Sequence, residues 1–249
     1  TPVIGLARTV FFLQGLRFTI LGEENVPAVG GAVMAINHTG YFDFTYAGLA
    51  ARPRGRLVRF MAKKSVFGHR VTGPLMRGMK HIPVDRHAGH GAIEAGLAAV
   101  RAGEVVGIFP EATMSRSFEL KPFKGGAARI ARDGGVPLLP TTLWGSQRVW
   151  TKDAPKHRLR SNTPIHITVG QPLHLAADAD LNEATEQLRL AMAGQLAAQQ
   201  AAYPRMTGDD LRYLPARLGG TAPTPEQAHE RDHHDMTRRV DKFNRGSSS

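Results

Sequence analysis

The run Ala32-Val33-Met34-Ala35-Ile36 constrains this chain more than any other stretch. It is apolar without a break, partly β-branched, and opened by Gly30-Gly31, so it reads as a short buried strand. Beyond it the chain alternates between helical and extended patterns. Phe44 to Ala51 has the pattern of a short helix, stopped by Arg52-Pro53-Arg54-Gly55, and Leu57 to Ala62 is strand-like. Ala88 to Ala102 is Ala-rich, carries Ile93, Leu97 and Val100 at helical spacing, and ends at Gly103; Glu104 to Phe109 is again strand-like. This alternation predicts an α/β protein with helices on the faces of its sheet.

Chemistry-bearing residues cluster just beyond the strand ends. After Ile36 comes Asn37-His38-Thr39-Gly40-Tyr41-Phe42-Asp43. If residues 39–42 turn and Asp43 opens a helix, the carboxylate can hold the His38 tautomer, and the imidazole can take a proton from a hydroxyl. The same seven residues also fit a loop in which His38 packs and Asp43 is only an N-cap. A second block, Lys80-His81-Ile82-Pro83-Val84-Asp85-Arg86, delivers a guanidinium suited to forking onto two phosphate oxygens. The third, Phe109-Pro110-Glu111-Ala112-Thr113-Met114-Ser115-Arg116-Ser117, is followed by Lys121-Pro122-Phe123-Lys124-Gly125-Gly126, where Lys124 stands before exposed helix-start amides. Val136-Pro137-Leu138-Leu139-Pro140 is the fourth, apolar enough for a channel wall or for plain core.

These four blocks, in this order across residues 20 to 175, resemble the glycerolipid acyltransferases, typified by lysophosphatidic acid acyltransferases. The resemblance implies a mixed central sheet flanked by helices, with His38 and Asp43 as the catalytic pair. It assigns acceptor binding to Arg86, Glu111, Ala112, Thr113, Ser115, Arg116 and Lys124. The implied donor is acyl-CoA or acyl carrier protein, and the implied acceptor is lysophosphatidic acid or glycerol-3-phosphate; no cofactor and no metal are required. Two departures from the family's Phe-Pro-Glu-Gly-Thr-Arg-Ser pattern matter. Ala112 replaces a glycine, which removes the option of an unstrained positive φ. Met114 stands where an arginine is expected; either an insertion brings Arg116, two residues later, to the same spot, which is the favoured reading, or that contact is lost.

Net charge is +11, so an anionic partner is expected: acidic lipid, phosphate-rich substrate or nucleic acid. No nucleic-acid-binding fold is recognisable, which argues against the last. The chain has no cysteine, so neither a disulfide scaffold nor a cysteine acyl-enzyme is available. Residues 1–21 read as an amphipathic helix lying on a membrane surface, interrupted by Arg8, Gln14 and Arg17, or equally as a helix packed on the domain's own core. Peripheral attachment at the cytoplasmic face of the plasma membrane is the expected location. Trp144 and Trp150, with the basic loop Lys152 to Arg160, are expected near that interface. Residues 22–205 form the expected catalytic domain and 206–249 a polar tail. The tail's His229-Glu230-Arg231-Asp232-His233 fits a zinc-protease pattern, but it lacks the core, third ligand and cleft that chemistry needs, and reads as a solvated helix. A non-catalytic basic module that binds membranes is the competing reading; it accounts for the charge but not for the spacing of His38 and Asp43.

Overall fold

A computed structural model describes residues 2–70, 72–85, 89–155 and 160–246. Helix α1 (Pro2–Leu13) leads into strand β1 (Arg17–Leu21), then β2 (Ala32–Ile36), α2 (Asp43–Ala50) and β3 (Val58–Lys63). Two short helices, α3 (Lys64–Phe67) and α4 (Thr72–Gly78), precede β4 (Ile82–Val84), α5 (Gly89–Arg101) and β5 (Val105–Ile108). The chain continues through α6 (Gly126–Gly134), β6 (Leu138–Trp144), β7 (Pro164–Val169), α7 (Leu181–Ala202) and α8 (Pro225–Gly246).

The strands form one seven-stranded sheet in the order β1-β7-β6-β2-β5-β3-β4. Every pairing is parallel except β6 with β7, so the sheet is mixed. β2 occupies the middle, which is why its residues are apolar without alternation: both faces are covered. Met34 and Ile36 face a core shared with Tyr46 and Ala47 of α2, while Val33 and Ala35 face Ile130 of α6 and Leu188 and Met192 of α7. Each large side chain fully buried in this way contributes about 1.5–3 kcal/mol.

Three expectations need correction. The N-terminal helix ends at Leu13, not near residue 21. Gly15 turns the chain with φ 68°, and Phe18, Thr19 and Ile20, suited to extended backbone, join β7 as an edge strand. Trp144 does not reach an interface; it is buried against Tyr203, Met206 and Tyr213. Those last contacts also tie residues 206–224 to the sheet, so this stretch is packed rather than a free tail. Among the described residues no helix is long and apolar enough to cross a membrane.

Candidate active site

His38 sits just past the C-terminal end of β2, where open α/β sheets leave a crevice. Asn37 anchors the turn. Its Nδ2 donates to the Leu143 carbonyl (3.0 Å), and the Leu143 N–H donates to its Oδ1 (2.7 Å), so a side chain continues the ladder to β6 after the strand has ended. Thr151 Oγ1 donates to the Thr39 carbonyl (2.6 Å) from the other side. The chain then turns at Gly40 and α2 begins at Asp43. A Cβ at Gly40 would lie 3.1 Å from Asp43 Oδ1 and 3.0 Å from the Ser146 carbonyl, so the turn has little room for a side chain.

The expected pair meets. His38 Nδ1 lies 3.0 Å from Asp43 Oδ2, and the same oxygen accepts the N–H groups of Thr39 (2.7 Å) and Gly40 (2.8 Å). An ionised carboxylate can only accept, so Nδ1 carries the proton and Nε2 keeps its lone pair. Asp43 is fully buried, whereas the His38 ring remains 22% exposed and stacks on Phe109 at 4.2 Å. The arrangement gives a fixed imidazole base at the mouth of a crevice.

Glu111 holds His38 from behind. Oε1 accepts the His38 N–H (2.8 Å) and Oε2 accepts the Lys121 N–H (3.1 Å). Burial pushes its carboxyl up to about 8, partly offset by those two hydrogen bonds. Both of its oxygens therefore organise protein backbone, whereas the resemblance assigned it to the acceptor. Ala112 takes φ 61°, so alanine bears the strained geometry that a glycine would take freely. Thr113 is exposed and accepts from Lys121 Nζ (2.6 Å).

Ser115 is buried: its N–H donates to the His38 carbonyl (2.7 Å) and its hydroxyl to the Glu119 carbonyl (2.7 Å), which makes it a brace for the loop. Met114 is also buried, with its sulfur 3.5 Å from Thr151 Oγ1. Arg116 is not the open phosphate ligand expected of it. Its guanidinium is buried and paired with Asp153 (2.8 Å), Asp232 (2.8 Å) and Asp235 (2.5 Å). Lys124 is exposed just before α6. Arg86 lies outside the described residues, as do Lys156 to Leu159 of the basic loop.

Sequence reasoning gave no site role to Lys121 or to the aspartates of α8, and expected Lys152 near a membrane interface. Lys121 Nζ reaches Asp232 Oδ2 (2.7 Å) and Lys152 Nζ reaches Asp232 Oδ1 (3.4 Å). The available signal was the spacing Ala228, Asp232, Asp235, which marks one helix face. His229, Glu230 and His233 are exposed. Among the described residues no group of His, Asp and Glu is placed to hold a metal.

An apolar cavity of about 310 Å³ opens on the far side of the aromatic stack. Phe11, Phe42, Phe44, Leu49, Phe60 and Leu75 contribute to its wall. Phe60 stacks on Phe109 (5.9 Å), which in turn stacks on His38, so two rings connect the cavity wall to the imidazole.

The acyltransferase family model matches residues 17–144 of the chain. The 1-acyl-sn-glycerol-3-phosphate acyltransferase of Bacillus subtilis (strain 168) is 32% identical over 163 residues, covering 65% of this chain and 76% of that protein. The chloroplastic 1-acyl-sn-glycerol-3-phosphate acyltransferase BAT2 of Brassica napus is 28% identical over 181 residues, covering 69% of this chain and 51% of that longer protein. The crystal structure of the 1-acyl-sn-glycerophosphate (LPA) acyltransferase PlsC from Thermotoga maritima matches with a TM-score of 0.65 at 18% identity, over 82% of this chain and 80% of that one. That last likeness establishes a shared fold.

Proposed function

The chain belongs to the acyltransferase family and is an acyltransferase enzyme; on that premise we propose that it moves a fatty acyl group from an acyl thioester to lysophosphatidic acid, giving phosphatidic acid. Membership sets aside the non-catalytic basic module. In this reading His38 Nε2 takes the proton of the acceptor's free hydroxyl, while Asp43 steadies the imidazolium at Nδ1. The hydroxyl oxygen attacks the thioester carbonyl carbon, the carbon–sulfur bond breaks, and the departing thiolate receives the proton from His38. Atoms balance between the two substrates, with no covalent acyl-enzyme and no further cofactor. The apolar cavity behind Phe109 takes the acyl chain, and the cations of the second and third blocks (Arg86, Lys124 and the cluster around Arg116) take the acceptor's phosphate. Peripheral binding to an anionic membrane, at the cytoplasmic face of the plasma membrane, brings enzyme and acceptor together.

The observation that carries this reading is the 3.0 Å contact between His38 Nδ1 and Asp43 Oδ2 at the sheet's C-terminal edge, with the ring still open to one side. The test is thiol release from palmitoyl-CoA, with lysophosphatidic acid or glycerol-3-phosphate supplied, for the wild type and His38→Ala. Acceptor-dependent release should fall by about 10²–10⁴-fold in the variant. Comparing the two acceptors identifies the step, and repeating the assay with an acyl carrier protein thioester identifies the donor. Equal release by the variant would sink the His38 mechanism.

A further inference from the structure

Arg116, one of the cations expected to hold the acceptor's phosphate, and its neighbours Lys121 and Lys152 are already occupied by a segment of the same chain. Asp232, on α8, receives three of them: Arg116 Nη1 at 2.8 Å and Lys152 Nζ at 3.4 Å on Oδ1, and Lys121 Nζ at 2.7 Å on Oδ2. Asp235, three residues on, takes Arg116 Nη2 at 2.5 Å, and Asp153 takes Nε at 2.8 Å. Two carboxylates on one helix face thus present to Arg116, Lys121 and Lys152 what a phosphomonoester would: anionic oxygens at hydrogen-bond distance.

Each of the three cations is mechanically tied to the catalytic turn. Arg116 follows Ser115, whose N–H binds the His38 carbonyl. Lys152 follows Thr151, whose hydroxyl binds the Thr39 carbonyl. Lys121 gives its own N–H to Glu111, the residue that holds the His38 N–H. The three cations are therefore carried by the same loops that hold the base in place.

Over residues 225–238 the helix that supplies the carboxylates has little other packing. Ala228 is the one buried apolar side chain among its described residues, and Met236 is 66% exposed. Water and salt reach these ion pairs from the helix side, where Asp232 is 20% and Asp235 40% exposed, although Arg116 itself is buried. Such a helix is suited to leaving.

We propose that α8 is an intramolecular occupant of the acceptor's phosphate seat: Asp232 and Asp235 compete with the phosphomonoester for Arg116, Lys121 and Lys152, and the helix must lift before the acceptor binds. This rests on the acyltransferase reading above. Competition at this seat alters acceptor binding and leaves the chemical step and the donor alone, which separates it from a purely structural role for the helix.

The full chain is assayed as wild type and as the double variant Asp232→Asn, Asp235→Asn, which keeps the helix and removes both charges. Expected is a drop of about three- to tenfold in KM for lysophosphatidic acid, with kcat and KM for palmitoyl-CoA within about twofold of wild type. An unchanged or raised acceptor KM overturns the proposal and makes α8 a structural brace. A fall confined to the donor's KM also overturns it, by giving the seat to a phosphate of the donor. A second measurement does not depend on turnover: hydrogen exchange over residues 228–236 of the wild type, in glycerol-3-phosphate and in chloride of matched ionic strength. Faster exchange in glycerol-3-phosphate supports displacement by a phosphomonoester, and equal exchange overturns it. A wild type without acceptor-dependent thiol release defeats the acyltransferase reading instead, and the exchange result still stands or falls alone.

Discussion

At the scale of single residues, the site is built by carboxylates that organise backbone. Asp43 gathers two N–H groups and the His38 ring on one oxygen, and Glu111 spans the N–H groups of His38 and Lys121. Tyr46, one turn beyond Asp43, has its hydroxyl held above the ordinary tyrosine range, first by burial and second by the Asp43 charge. Glu111 makes a pH-dependent prediction. Burial raises its folded-state pKa from 4.5 to about 8, so the fold favours the protonated acid. That contribution is complete below the unfolded-state value and is lost as pH rises toward and through the folded-state value. Relative to Glu111→Gln, which cannot ionise, the wild type should therefore lose stability between about pH 5 and pH 8. Urea midpoints of both proteins at the two pH values check this, and a gap that moves in the wild type's favour with rising pH would refute it. The variant itself should be less stable at pH 5 by about 1–3 kcal/mol, because its amide N–H must face a backbone N–H. The meeting of His38 with Asp43 was legible in the sequence. That Arg116 faces aspartates of α8 was not, since those partners lie more than a hundred positions away.

At the scale of elements, strand ends deliver the chemistry and turns aim it. The turn after β5 has Ala112 at φ 61°, with the Thr113 N–H donating to the Glu111 carbonyl at 2.7 Å. Alanine tolerates this region at a cost of about 1–2 kcal/mol, whereas a β-branched side chain does not fit it. Ala112→Val should lower stability by about 1–3 kcal/mol and slow acyl transfer, because the same turn carries the carboxylate behind His38. Thermal melting of the two proteins, read beside the thiol-release assay, checks both effects; a variant as stable and active as wild type would mean the turn is free to adapt. The buried β2 follows from its unbroken apolar run and the amphipathic α5 from periodicity. The end of α1 at Leu13 follows from neither, because residues 17–21 suit either helix or strand until β7 is there to pair with them.

At the scale of the whole molecule, a charge of +11 and an apolar helix face together predict binding to an anionic membrane. Leu6, Phe12 and Leu13 of α1 are 68%, 79% and 64% exposed, beside the helix's inward residue Phe11. Basic side chains near an anionic bilayer contribute about 1 kcal/mol each, and that attraction is screened by salt. Sedimentation with vesicles containing anionic phospholipid should retain the protein at low ionic strength and release most of it at about 0.5 M salt, where the Debye length is only a few ångströms. Retention on neutral vesicles should be weak; equal, salt-insensitive retention on both would assign binding to the apolar face alone. The α/β alternation, the central buried strand, the pairing of His38 with Asp43 and the positive-φ conflict at Ala112 could all be read along the chain. They depend on neighbours a few positions apart, or on patterns that burial imposes directly. It took the folded arrangement to make Trp144 core, to pack residues 206–224 on the sheet, and to set Asp232 and Asp235 on the basic cluster of Arg116, Lys121 and Lys152. Those outcomes rest on contacts between distant segments, where charge and hydrophobicity say that a partner is needed and only the fold says which one is near.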